Sequence, residues 1–222
     1  GEIQLDGVMP WGTGAPYIKN VACGAALDDG TQLLVLLPMD AAGISIEKAL
    51  PLAALNSTFT CEVRCDAVMV DASEIIAGPV HKVLSERSAL RLLLVSATGI
   101  GLARSMLDEI SGKRDRSAGG IDDAMLEKLF GKFFALEERL VQVANDPNLS
   151  QASIDALRVT INDWLTRLAG VLMVAAKGSG FARSASAQRL AAEAMFFCVW
   201  SASNAIRGAT VGRLLNELLL PQ

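Results

Sequence analysis

Hydrophobic positions recur along this chain at two periods, and the change from one to the other falls near residue 80. Before it the pattern is that of strands. Glu2-Ile3-Gln4-Leu5 alternates polar and apolar, the signature of a half-buried strand. Asp6-Gly7 follows, and because glycine tolerates positive φ the pair predicts a two-residue hairpin turn. A second short strand then ends at Trp11. Val21-Ala22-Cys23-Gly24-Ala25-Ala26-Leu27 reads as a strand closed by the turn Asp28-Asp29-Gly30-Thr31. The uninterrupted apolar run Leu33 to Leu37, stopped by Pro38, predicts a strand buried on both faces. Ile44, Ile46 and Lys48 share one face of the next strand, and residues 58–65 alternate at period two over a long run. Several short strands divided by turn signals predict a small antiparallel β-barrel or sandwich. Residues 71–82, with Gly78-Pro79, read as a linker, and the single histidine, His81, as a surface or capping residue.

From Ser85 the period becomes helical. Ser85-Glu86-Arg87-Ser88 caps a predicted helix through Leu90, Leu94, Ala97, Gly101 and Leu107 to about Ile110. Gly99 and Gly101 lower its helix propensity, and a close helix contact would explain them. Residues 111–120 form a polar, basic loop. Ile121-Asp122-Asp123 opens a second helix, its acidic residues favourable at the N-terminus, with Met125, Leu129, Phe133, Leu136 and Leu140 as its core stripe. Asp146-Pro147-Asn148 breaks it. Ser150 caps a third helix carrying Ile154, Leu157, Ile161, Leu165, Leu168 and Leu172. A fourth opens near residues 184–186, and a last one follows a turn around residues 201–204. The expected architecture is α+β: a β-barrel or sandwich domain over residues 1–80, then a C-terminal four-helix up-and-down bundle over residues 81–222.

Composition narrows the function classes. The chain has 222 residues, 51% of them hydrophobic, enough for a sizeable core, and a net charge of −4. That balance argues against a nucleic-acid partner, which would need a basic face. No run of about 18 uninterrupted apolar residues predicts a membrane-spanning helix, and no signal peptide opens the sequence. The four cysteines, Cys23, Cys61, Cys65 and Cys198, lie in apolar segments, as expected of reduced core residues in a cytoplasmic protein. Cys61 and Cys65 point to one face of a strand, but further ligands for a metal are lacking.

Chemistry concentrates in residues 6–15. Trp11, Gly12, Thr13 and Gly14 set an indole beside a hydroxyl and bare backbone, which suits a flat ligand with a polar edge. A glycine-rich turn with a core tryptophan is the alternative. The stretch Asp6-Gly7-Val8-Met9-Pro10-Trp11-Gly12-Thr13-Gly14 resembles the flavin-contacting segment of the acyl-CoA dehydrogenase family, N-G-x-K-x-W-I-T-N-G. Asp40-Ala41-Ala42-Gly43-Ile44 resembles its D-x-x-G-V, and Cys65-Asp66-Ala67-Val68-Met69-Val70 its F-D-D-V-x-V. Gly99-Ile100-Gly101-Leu102-Ala103-Arg104 is similar to its first C-terminal helix, and Lys177-Gly178-Ser179-Gly180-Phe181 to its G-G-x-G-Y loop. Relatives carry an N-terminal helical domain ahead of this point. The chain opens at Gly1-Glu2 inside a strand, so it reads as a piece of a longer protein.

The resemblance implies FAD as cofactor, an acyl-CoA or related small molecule as partner, and a homodimer or homotetramer. It implies that Trp11 packs on the flavin ring and that Thr13 supports its edge near N5. The family's R-x-x-F-G arginine falls in the basic loop, where Arg114 and Arg116 either meet the flavin pyrophosphate or are solvated. The family's base, the Glu of Y-E-G-T, falls on Trp200. The alternative site on the first helix falls near Arg91. Glu86 and Glu193 are the nearest carboxylates, and neither sits at the expected place. No catalytic residue is assigned. The resemblance leaves three readings: a dehydrogenase with a relocated base, an oxygen-using flavoprotein of the same fold, or a non-catalytic member. An unrelated barrel plus bundle serving protein interaction is the fourth.

Overall fold

A computed structural model describes residues 2–83, 89–113 and 120–219. It divides into two compact units, Gly1–Arg87 and Ser88–Gln222.

The first unit holds two open antiparallel sheets. One is ordered β1-β5-β4, from β1 (Glu2–Gly12), β5 (Cys61–Asp71) and β4 (Ile44–Ile46); the other is β2-β3-β6, from β2 (Asn20–Ala26), β3 (Gln32–Pro38) and β6 (Ile75–Val80). Neither sheet closes on itself, so the unit is not the barrel that strand counting allows. Leu33, Val35 and Leu37 of β3 pack with Val68 and Val70 of β5, joining the two sheets through one core. The run Leu33–Leu37 is buried on that face only. Leu36 is 39% exposed, so an apolar stretch without alternation has still produced a one-sided strand. The Asp28–Thr31 turn forms as expected, with Gly30 at φ 81.

Asp6-Gly7 is not a hairpin turn. β1 runs straight through it and pairs with β5. Leu5 faces Val68 and Gly7 faces Cys65, so Asp6 alone stands opposite Asp66 and Ala67. That is a bulge with the extra residue in β5. The Asp6 carboxylate accepts from the Ala67 N–H at 2.8 Å, which fixes Ala67 at φ 49. The bulge switches which β5 residues face inward: Cys61 and Val63 before it, Val68 and Val70 after it. The expected linker holds β6 on the edge of its sheet. Pro79 suits an edge, where a missing N–H breaks no ladder.

The second unit is built on five helices: α1 (Ala89–Gly112), α2 (Asp123–Ala144), α3 (Gln151–Ala176), α4 (Ser186–Phe197) and α5 (Asn204–Leu219). Asp122 caps α2 by accepting from the Met125 N–H at 2.8 Å, and Ser150 caps α3 through the Ser153 N–H at 3.1 Å. The expected stripe of α3 is buried throughout, and α3 packs against α1, α2, α4 and α5. With its following turn, Gln151–Phe181, it is also long and apolar enough to cross a membrane, at a mean hydropathy of 1.2. Its Leu and Ile positions are those of the bundle core.

Two expectations for the helices change. In α2 the buried positions are Leu126, Phe133, Leu136 and Val143, while Met125 is 51% exposed; Leu129 and Leu140 sit at the margin of the face. In α1 only Gly99 marks a close helix contact. A Cβ there would meet the Phe197 ring at 2.6 Å and Ile161 at 2.9 Å, whereas Gly101 faces open space. The expected α1 cap, Ser85–Ser88, lies outside the described residues.

Candidate functional site

A second bulge builds the site. Met9 faces Val63 and Gly12 faces Cys61, so Pro10 and Trp11 together stand opposite Glu62. Here the extra residue is in β1. At period two Trp11 would follow Ile3, Leu5 and Met9 toward the interior. The bulge turns it outward, where it is 64% exposed, and turns Gly12 inward. Trp11 is therefore not a core residue. Gly12 has to lack a side chain: a Cβ would meet Val63 Cγ2 at 2.9 Å, the Cys61 carbonyl at 3.2 Å and Ala15 Cβ at 3.3 Å. Below it lies a small core of Ala15, Met39, Cys61 and Val63.

The chain then turns over this core. Gly14, at φ 70, donates its N–H to the Thr58 carbonyl at 2.9 Å, and Tyr17 N–H returns to the Gly14 carbonyl at 2.8 Å. Tyr17 and Phe59 meet edge to face, their centroids 5.1 Å apart, and both stay exposed at 72% and 44%. The outward indole of Trp11, this aromatic pair and the exposed hydroxyl of Thr13 belong to one end of the unit. Thr13 Oγ1 lies 3.4 Å from Thr60 Oγ1, and Thr60 Oγ1 lies 2.9 Å from Thr58 Oγ1. Thr58 Oγ1 donates to the Leu55 carbonyl at 2.7 Å. Thr58 and Thr60 were not singled out in the sequence. The signal is Thr-x-Thr in the residues just before β5, the strand paired with the one that leads into Thr13.

Opposite the bulge, Glu62 pairs with Arg64, which also lies 3.9 Å from Glu47. Elsewhere in the unit, Cys23 and Cys65 pack on the shared core. Burial pushes both thiols above their ordinary value, with Cys65 adding to the effect on Cys23 and Asp6 to that on Cys65. Among the described residues no group of three metal-ligating side chains gathers. Of the arginines expected to reach a pyrophosphate, Arg114 and Arg116 lie outside the described residues, as do the side chain of Arg91 and Glu86.

Among the described residues the second unit holds a buried polar centre that the sequence pattern does not announce. Arg158 is 4% exposed, two turns into α3. Its Nε donates to Asn162 Oδ1 at 2.9 Å, and its Nη2 donates to the Phe197 carbonyl at 2.5 Å and the Trp200 carbonyl at 3.0 Å. The guanidinium lies 3.7 Å from the centroid of the Phe197 ring. Asn162 continues the network to Thr210 Oγ1 at 3.0 Å, which ties α3 to α5. Burial lowers the Arg158 pKa to about 10; the helix-end carbonyls of α4 are what hold the cation there. Trp200, the residue at the expected base position, sits in the turn that Arg158 grips, its ring 6.1 Å from that of Phe197. Glu193 is committed to Arg189 at 3.1 Å, one turn along α4.

No protein-family model matches the sequence, and neither does any curated protein. Solved structures do match. An acyl-CoA dehydrogenase from Geobacillus kaustophilus superposes with a TM-score of 0.81 at 14% identity, over 96% of this chain and 61% of its own. FkbI, for biosynthesis of the methoxymalonyl extender unit of the Fk520 polyketide, superposes at 0.77 and 17% identity, over 99% of this chain and 64% of its own. A glutaryl-CoA dehydrogenase from Mycobacterium smegmatis, in complex with FADH2, gives 0.72 and 19% over 96% and 58%.

This chain has the acyl-CoA dehydrogenase fold.

It spans about three fifths of the length of those structures, 61% of the first and 64% of the second. At such identities the fold is what is shared. Within that fold the Trp11–Gly14 segment is the bulged, outward-facing end of a strand, and the turn at Trp200 lacks a carboxylate at its expected base position.

Proposed function

We propose that this chain is the flavin-contacting part of an FAD-dependent oxidoreductase acting on an acyl-CoA or related thioester. The observation that carries the reading is the bulge at Pro10-Trp11, which exposes an indole two residues before the exposed Thr13. A strand without that bulge would bury Trp11. Bound FAD would supply a hydride acceptor. This chain's residues would do the rest: Trp11 packs on the flat ring, Thr13 meets its polar edge, Gly14 leaves the backbone free of a side chain beside it, and Gly12, turned inward, lets the strand close on its core. Arg114 and Arg116 are assigned to the cofactor diphosphate in the same proposal. The bundle is assigned to self-association as a homodimer or homotetramer, supported by the exposure of Val174 and Phe181 at 77% and 72%. A cytoplasmic location belongs to the same proposal, its support being four free thiols.

Trp200 favours a second reading. An indole cannot remove the α-proton of a thioester, and the Arg158 contacts fix the backbone of that turn. An oxygen-using flavoprotein, or a non-catalytic subunit, needs no carboxylate there. The experiment is a visible absorption titration of the full chain with FAD. A resolved, shifted flavin spectrum supports the first reading, and no spectral change at saturating FAD overturns it. Anaerobic bleaching by an acyl-CoA then separates a dehydrogenase from its oxygen-using or non-catalytic counterparts.

A further inference from the structure

Arg158 carries a buried charge that no ion pair neutralises. It is 4% exposed, and charges at that depth are ordinarily paired with an opposite one. Among the described residues no carboxylate lies within ion-pair distance of it. The nearest ones in sequence are committed elsewhere. Asp163 accepts from Arg167 Nε at 2.8 Å and from Arg213 Nε at 3.1 Å, and Glu193 holds Arg189. The partners of Arg158 are an amide oxygen and two backbone carbonyls. These solvate a cation as dipoles and leave its net charge in place. Burial holds the Arg158 pKa down at about 10, the mark of a cation whose surroundings do not offset its desolvation.

Donors are left over as well. A guanidinium has five N–H groups. The Nε group goes to Asn162, and the Nη2 groups go to the Phe197 and Trp200 carbonyls. Among the described residues the Nη1 groups have no acceptor. A second unpartnered group lies close by. Ser96 of α1 is fully buried, and its Oγ, alone among the buried side-chain polar atoms of the described residues, has no hydrogen-bond partner. Such orphans are rare in folded proteins and call for an explanation, a bound ion among them. Gly99 is one turn further along the same face of α1, and a Cβ there would lie 2.6 Å from the edge of the Phe197 ring. The Arg158 guanidinium is 3.7 Å from the centroid of that ring. Phe197 thus stands between the face of α1 that carries Ser96 and the unneutralised cation.

We propose that a small monovalent anion, a halide such as chloride, binds at this junction of α1, α3 and the end of α4, held by Arg158 Nη1 and the Ser96 hydroxyl. The donor set decides the class. Both groups can donate, so the ligand accepts. A water molecule would take up the donors and leave the charge where it is. One cation neutralises one negative charge. Sulfate or phosphate would leave an excess in a buried site that already faces the carbonyl end of α4. The site is independent of the flavin reading, and its occupant would tie α1 to the turn that carries Trp200.

The test uses the full chain without flavin. Broadening of the chloride NMR signal is measured at constant ionic strength, with bromide and sulfate as competitors. The wild type should broaden the signal saturably, bromide should reverse the effect, and sulfate should not. Arg158→Met removes the cation at nearly constant volume and should abolish the saturable part. Ser96→Ala only trims an unpaired hydroxyl, so it should fold, and it should weaken binding by about tenfold, the effect of one hydrogen bond. In urea unfolding, chloride should raise the midpoint of the wild type more than that of Arg158→Met, and comparing the two cancels general salt effects. No saturable broadening by the wild type overturns the inference, since water then meets the donors. Broadening that Arg158→Met retains overturns it as an adventitious ion only. Competition by sulfate as strong as that by bromide overturns the stated class. If Arg158→Met does not fold, Ser96→Ala carries the test, and binding that it leaves unweakened overturns the site.

Discussion

Arg158 gives the sharpest test of how the helical unit is held together. Two truncations separate its charge from its volume. Burial lowers its pKa to about 10, which corresponds to roughly 3 kcal/mol of cost in keeping the cation where it is. Any neutral replacement regains that. Against it stand the Phe197 and Trp200 carbonyls, left without a donor at roughly 1–3 kcal/mol each. Arg158→Met keeps most of the volume, so these amounts nearly cancel and leave a loss of about 1 kcal/mol. Arg158→Ala adds a cavity of roughly 2–3 kcal/mol, for a net loss of about 3 kcal/mol. Urea unfolding followed by far-UV circular dichroism, which reports mainly the helices, measures both. The reasoning is refuted if the two variants are equally destabilised, for then volume plays no part. It is also refuted if Arg158→Ala stays within about 1 kcal/mol of the wild type.

Other consequences can be checked alongside. Gly99→Ala drives a methyl into the Phe197 ring and Ile161 and should cost roughly 1–3 kcal/mol by overpacking, read as a lower urea midpoint. Gly101→Ala, facing open space on an exposed turn of α1, should gain roughly 0.5–1 kcal/mol in the same assay. Asp122→Ala removes the α2 cap and should cost about 1 kcal/mol. The Asp6 carboxylate is held below its ordinary value of 3.8 by the Ala67 N–H first, then by Gln4. Its folded pKa is the lower one, so its contribution is present above pH 3.8 and is lost as pH falls through the folded value. Thermal unfolding of Asp6→Asn should be less sensitive to pH in that window, and an unchanged acid dependence would remove the role given to Asp6.

Much of the helical unit was legible because α3 repeats its apolar positions without interruption and Ser150 caps it. The same holds for the β2–β3 hairpin, where Gly30 announces the turn. What local pattern could not show was anything decided by a partner strand. Asp6-Gly7 has the composition of a hairpin, yet it pairs across with β5, sixty residues on, and becomes one side of a bulge. Trp11 was readable as a candidate contact, but its outward direction depends on a residue count against Glu62 that no local window contains. β6 reads locally as a linker because Gly78-Pro79 hides an edge strand. Arg158 gave almost no signal, since the carbonyls that hold it lie 39 and 42 residues further along the chain.

The two bulges have opposite sense: β5 carries the extra residue at Ala67, and β1 carries it at Pro10-Trp11. Beyond both of them the strands are back in step, with Glu2 opposite Asp71 at one end and Gly12 opposite Cys61 at the other. Chain length in these two strands is thus a shared quantity. Deleting one residue from either bulge alone would invert inside and outside along the stretch beyond it. A gene acquiring such a deletion would need a matching loss in the other strand. Single-codon insertions and deletions in β1 or β5 should therefore be lethal to the fold one at a time and tolerated as pairs, and the outward tryptophan would be lost in any pair that erased the bulge beside it.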